Sequence, residues 1–300
     1  MPKSRSVRFD SLLAAAFVAI AVAAPATSQD KPKVAPKHLV RFSFKEGAVR
    51  HSVIELDTVT KMSRGAIHSD SRLKTTVWMT TRLKATKGNT AQIELTLTRI
   101  KAFAEDLSGK VNYDSNNVDS DPGPFAPLAD LLKGKIRFKM TDLGQVSELV
   151  LPDIADHPSF NKASVQQVLM QGLSRLPSQP LAIGDKWQTK EKATRTLLNQ
   201  REMVIHTSNE LLAADKQSIT VKQTETIDPE TDGLPGGMKP KDISIAATYK
   251  LDLRTGLPIE ATILLTAKQT GPIKMDISAK QTLKPAPPKK SKATAGKPGK

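Results

Sequence analysis

The chain contains no cysteine, and this removes disulfide frameworks, thiolate metal sites and thiol chemistry from consideration. Aromatic residues make up only 4% of the 300 positions, too few for the stacking platforms that read single-stranded nucleic acid. After the first 24 residues there is no long apolar run, so nothing beyond that point has the roughly 20 residues a membrane helix needs. Acidic residues are in deficit: 30 Asp and Glu stand against 45 Lys and Arg, a net charge of +15. With 38% hydrophobic and 25% charged residues, the chain still has enough apolar material for a buried core.

Residues 1–28 have the layout of a secretory signal. Lys3, Arg5 and Arg8 precede a short apolar stretch from Leu12 to Ala24, and Ala26 and Ser28 stand at the −3 and −1 positions of a cleavage site before Gln29. Cleavage there would leave a soluble exported chain without a transmembrane span, carrying +13. A linker follows at 29–37. At the other end, 284–300 holds six lysines, four prolines and no acid, and is expected to be a disordered basic tail. Such a tail suits an anionic envelope polymer or lipid surface. The export signal argues against nucleic acid as partner.

Between these ends, period-two alternation dominates. Ile243, Ile245, Ala247, Tyr249, Leu251 and Leu253 share one face. After a Thr-Gly turn the pattern resumes at Ile259, Ala261, Ile263, Leu265 and Ala267, and after Gly271-Pro272 at Ile273, Met275, Ile277, Ala279 and Leu283. This predicts a three-strand antiparallel meander. Further strands are expected at Val40–Phe44, 48–62, 72–86, 91–102, 136–140, 145–151, 201–208 and around Ile219–Val221. In the fourth of these the apolar phase slips by one residue between Leu97 and Ile100, as a β-bulge would require. Residues 105–124 read as a polar loop and 126–133 as a short helix. At 159–176 the spacing becomes helical, with Val165, Val168, Leu169, Leu173 and Leu176 on one face, and Pro177 ends it. The expected fold is mainly β with minor α. A large antiparallel meander is built from two related halves, 38–155 and 181–283, with the helix and connector at 156–180 packed on it. One continuous sheet and two lobes both remain open.

The relation between the halves rests on three pairs of segments: FKEG (44–47) with IGDKW (183–187), ATKGNTAQIELTLT (85–98) with AADKQSITVKQT (213–224), and KMTDLGQV (139–146) with KLDLRTGLP (250–258).

The segments VRFSFKEGAV, Tyr113-Asp114-Ser115 with its acidic Pro-Gly loop, KMTDLGQVSEL, Leu176-Pro177 before IGDKW, and ATYKLDLRTGLPIEA together resemble a bacterial family of exported β-rich envelope proteins of unknown function, over about residues 40–283. The strand Tyr249–Asp252 followed by Thr255-Gly256 is also similar to the periplasmic lipoprotein-carrier fold, in which a curved antiparallel sheet wraps an apolar cavity. The resemblance implies an envelope address and supplies no site residues.

Catalytic and metal motifs do not emerge. His38, His51, His68, His157 and His206 include no pair at i, i+2 or i, i+4, and neither HExxH nor G-x-S-x-G occurs. The Asp114–Asp121 loop lacks the Gly and Glu of a calcium-binding EF-hand. Glu225 and Asp228 are one carboxylate pair among many, and Gly233–Gly237 lacks the rest of a phosphate loop. No catalytic, cofactor or metal residue is assigned. The chain is read as a non-enzymatic binding or carrier module for an apolar or anionic envelope ligand. The alternative is a structural component held to acidic wall or lipid surfaces by its tail.

Overall fold

Alternating apolar and polar residues leave each segment one face to bury, and the short Gly-bearing turns between them make neighbours antiparallel. The computed structural model describes residues 37, 39–152, 175–195, 201–228, 242–271 and 273–287. The strands are β1 (Val49–Arg64), β2 (Ile67–Lys87), β3 (Thr90–Asp106), β4 (Gly109–Asp114), β5 (Ile136–Thr141), β6 (Val146–Val150), β7 (Lys186–Arg195), β8 (Arg201–Ala214), β9 (Ser218–Ile227), β10 (Ile243–Asp252), β11 (Pro258–Gln269) and β12 (Lys274–Pro285). They form one antiparallel 12-stranded sheet in the order β6-β5-β3-β2-β1-β12-β11-β10-β9-β8-β7, with β4 also on β3. The chain therefore makes two meanders, joined where the last strand pairs with the first, Ile54 opposite Leu283. This settles the choice between one sheet and two lobes in favour of one sheet.

The expected bulge is present. Trp78 pairs with Arg99 and Met79 with Leu97, leaving Thr98 over, so Leu97 and Ile100 are both buried on the same face. The expected polar loop at 105–124 is corrected in part. Lys110 to Tyr113 alternate well enough to form β4, and Tyr113 is buried. The short helix α1 (Ala126–Asp130) lies between two 3-10 turns, and Phe125, Leu128 and Leu131 are buried. The amphipathic segment expected at 159–176 lies, up to residue 174, outside the described residues, as do the signal and most of the tail. Strand β12 runs on to Pro285, and Lys284 Nζ lies 2.7 Å from Glu55 Oε1.

Val40–Phe44 is also corrected. It is extended but joins no strand ladder. Instead it crosses one end of the sheet: Phe42 N–H donates to Asp142 O in the β5–β6 turn (3.0 Å), and Ser43 N–H to Leu253 O in the β10–β11 turn (2.7 Å). Along the sheet, β5 and β11 are five strand spacings apart, about 24 Å if the sheet were flat. One short segment can reach both turns only because the sheet curls on itself. Gly256 confirms the approach. A Cβ there would collide with Met140 Cε and lie 3.1 Å from the Phe42 ring.

Several bonds recur in the two halves. Gly47 N–H donates to Leu83 O and Leu83 N–H to Ala48 O, just as Gly184 donates to Leu211 O and Leu211 to Asp185 O. The β2–β3 ladder slips between Leu83 and Ala85, and the β8–β9 ladder between Leu211 and Ala213. Asp142 N–H donates to Asn89 O, and Leu253 N–H to Gln217 O, both at 2.8 Å. Phe42 and Ser43 thus bind equivalent carbonyls of the two halves at their junction.

Gly256 yields a prediction. Gly256→Ala and Gly65→Ala both place a Cβ at positive φ, +69° and +59°, but only the first meets the core. Gly65→Ala should cost about 1 kcal/mol for backbone strain. Gly256→Ala should cost about 1–3 kcal/mol more, for displacing the fully buried Met140. Equal losses in urea unfolding would show that the two ends do not meet there.

Candidate functional site

Curling gives the sheet an inner face, and pairing register decides which residues share each row across it. One row runs Trp187–Asn209–Gln223–Ala247–Ile263 through β7 to β11. It continues Gln281–Leu56–Thr75–Ala102–Tyr113 through β12, β1, β2, β3 and β4. The adjacent row carries Thr207, Glu225, Ile245, Leu265, Ala279 and Thr58. The row on the other side is apolar apart from one phenol: Leu211, Val221, Tyr249, Ala261, Leu283, Ile54, Val77 and Ile100.

A polar belt therefore crosses a mainly apolar inner face. Its members do not all satisfy one another. Gln223 Nε2 donates to Glu225 Oε1 at 3.0 Å. Thr58 Oγ1, Thr75 Oγ1, Asn209 Oδ1 and Gln281 Oε1 are buried and have no hydrogen-bond partner among the described residues. Thr58 is 0%, Asn209 2% and Thr75 5% exposed. A buried polar atom left unpaired costs about 1–3 kcal/mol, so four on one face of one sheet need a physical reason. The belt is also shallow. Ala102, Ala104, Ala247, Ala261 and Ala279 are all buried inward-facing residues, and alanine fills little of the space that Leu or Phe would.

Near the crossing segment the inner face ends in charge. Asp252 takes hydrogen bonds from Arg254 (N–H at 2.9 Å, Nε at 3.2 Å), and Arg50 of β1 closes on its other oxygen. Burial alone would raise the Asp252 pKa, but the Arg254 hydrogen bonds and the charges of Arg50 and Arg254 hold it below the ordinary value. At the opposite end, the β1–β2, β3–β4 and β11–β12 tips carry the exposed aliphatics Ile67, Leu107 and Ile273.

The residues singled out from sequence are scattered. His51 Nδ1 lies 2.9 Å from Thr80 Oγ1, and His206 Nε2 lies 3.1 Å from Asp228 Oδ2. His157 and Gly233–Gly237 lie outside the described residues, as does His38. Glu225 faces inward with Thr207, whereas Asp228 binds His206, one residue out of phase, so the two carboxylates do not converge. In the acidic loop, Asp114 is committed to Arg99 and Lys101 at 2.7 and 3.1 Å. The Arg99 hydrogen bond, aided by Asn116 N–H and Lys101 against partial desolvation, keeps it far below the usual carboxylate range. Asn117 and Asp121 accept from their own loop's N–H groups. Among the described residues no group of three or more His, Asp or Glu side chains could hold a metal. An outer concavity of about 490 Å³ lies beside this loop, lined by Lys74, Lys101, Phe103, Asn112 and Asp114.

The polar belt was not read from the sequence, though a signal for it existed. For three of its members the signal is plain: in 273–283 the apolar phase skips position 281, and beyond Val221 the same phase runs into Gln223 and Glu225 before Ile227.

No protein-family model matches the chain. No curated protein matches it either. Among solved structures, a lipovitellin structure described for its lipid–protein interactions is similar over 82% of this chain, with TM-score 0.53 and 12% identity. This chain spans about a quarter of that structure, 26% of its length. DynF from the dynemicin biosynthesis pathway of Micromonospora chersina aligns with 90% of this chain and 97% of its own, at TM-score 0.21 and 8% identity. The translocator domain of the autotransporter NalP from Neisseria meningitidis aligns with 79% and 88% of the two chains, at TM-score 0.20 and 8% identity. The lipovitellin likeness is one of fold: a large curved antiparallel sheet. No helix among the described residues is long and apolar enough to cross a membrane.

Proposed function

We propose that this is an exported, non-enzymatic binding or carrier module that holds an apolar or amphiphilic envelope ligand against the inner face of its curled sheet. One observation carries the reading. The inner face runs unbroken through both halves, sets five buried alanines among its larger apolar residues, and leaves buried polar atoms unpaired. A protein that only needed a core would gain by filling such a face with larger aliphatics. The lipovitellin likeness supports the same use of a curved sheet, and the resemblance to exported envelope proteins supports the location.

The test is direct. Protein exported through a bacterial inner membrane and purified without detergent should show bound mass in native mass spectrometry that organic extraction removes. Ala279→Phe, which enlarges a side chain on the inner face, should reduce that bound mass several-fold. Protein that carries no extractable compound, and whose melting temperature no acyl compound raises, would leave the structural envelope role instead.

A further inference from the structure

The chemistry of the belt selects among ligands, an inference that rests on the binding role proposed above. We infer that the bound molecule is an amphiphile with an uncharged, hydroxyl-bearing head, of the glyceride or glycolipid class, and that its head lies on the belt at Thr58, Thr75 and Gln281, on the adjacent strands β1, β2 and β12. The unpaired atoms set the head's hydrogen-bonding character. Gln281 Oε1 can only accept, and the two threonine hydroxyls accept as readily as they donate. The missing partner is thus a donor. An alkane or an ester without free hydroxyls would leave these oxygens unsatisfied.

The need for a donor also separates this class from the commonest alternative, a fatty acid or phospholipid anion. Neither belt row contains a lysine or arginine on the described strands, and the inward cation Arg50 is already bound to Asp252. The inward-facing Glu225 shares the belt with Gln223. A carboxylate or phosphate brings acceptors where donors are missing, so it would leave these buried oxygens unsatisfied in a medium of low dielectric. A diol or sugar head would meet acceptors on several strands. The neighbouring row of Leu211, Val221, Ala261, Leu283 and Ile54 offers its chain an apolar surface.

The experiment uses the delipidated mature chain and a fluorescent apolar probe displaced by 1-monopalmitoylglycerol, palmitate or dipalmitoyl phosphatidate at pH 8. The monoglyceride should compete about tenfold more strongly than either anion, the gain expected from satisfying one or two buried acceptors. Thr75→Val together with Gln281→Leu should erase that preference while leaving the ligand-free melting temperature unchanged or raised, because an unpaired polar atom is lost at each site. Palmitate or phosphatidate binding as tightly as the monoglyceride would overturn the head-group assignment while leaving the carrier reading intact. So would a preference that survives the double substitution. Failure of all three compounds to displace the probe would instead count against the carrier reading itself. The wild-type competition decides the matter even if the double variant does not fold.

Discussion

Asp252→Ala should destabilise the protein by about 3 kcal/mol, the lower end of what removing one partner of a buried ion pair costs. The side chain is 2% exposed and is the shared acceptor of Arg50 and Arg254, which lie 202 and 2 residues away in sequence. Without it, Arg50 keeps only the carbonyls of Leu257 and Pro258, at 3.2 and 3.3 Å. The Arg254 N–H also loses its carboxylate. Because Arg50 and Arg254 retain some water, the loss should not reach the upper end of the range. Asp252→Asn keeps an acceptor and should lose about half as much. Urea denaturation followed by far-UV circular dichroism measures both, and a loss below about 1 kcal/mol for the alanine variant would remove this pair from the closure. Acid reports on the same group. The folded pKa of Asp252 lies below the ordinary 3.8. Its contribution is therefore fully present above pH 4 and is lost as pH falls through the folded value. The wild type should lose stability more steeply below pH 4 than Asp252→Asn does.

Phe125→Ala should cost about 3–5 kcal/mol. Phe125 is 0% exposed and its ring stacks on Tyr113 at 6.4 Å between centroids. Its importance follows from the sheet. The 17-residue strand β3 shares one edge between β4, on Lys101–Asp106, and β5, on Thr90–Leu95. The chain between them must cover the stretch that neither strand reaches. Ser115 does so by hydrogen bonding to both N–H and C=O of Ile100, and Phe125, Leu128 and Leu131 supply the apolar cover. A Phe125→Leu variant keeps most of the volume and should lose about 1–1.5 kcal/mol. Thermal unfolding would rank the two, and a loss under 1 kcal/mol for alanine would mean that α1 is not part of the core.

The amino-acid sequence by itself determined most of the strands, their antiparallel sense and the bulge at Thr98, because these depend on local alternation and turn residues. Ile243–Leu283 shows this best: Ile243, Ile245, Ala247, Tyr249 and Leu251 of β10 and Ala261, Ile263, Leu265 and Ala267 of β11 are buried as their phase requires, while Ile259 falls at a register shift. Missing from that pattern was β4, whose four alternating residues are too short a run to stand out within a polar loop. The place of Val40–Phe44 was decided only by tertiary structure. Its alternation suits a strand, yet its N–H groups bind two turns that the sequence places 111 residues apart, Asp142 and Leu253. Tertiary structure also decided which polar residues form the belt. Gln281, Thr75, Asn209 and Gln223 are ordinary strand residues until register lines them up in one row. Register is set by the pairing of distant strands, and so it becomes visible only when the whole sheet has closed.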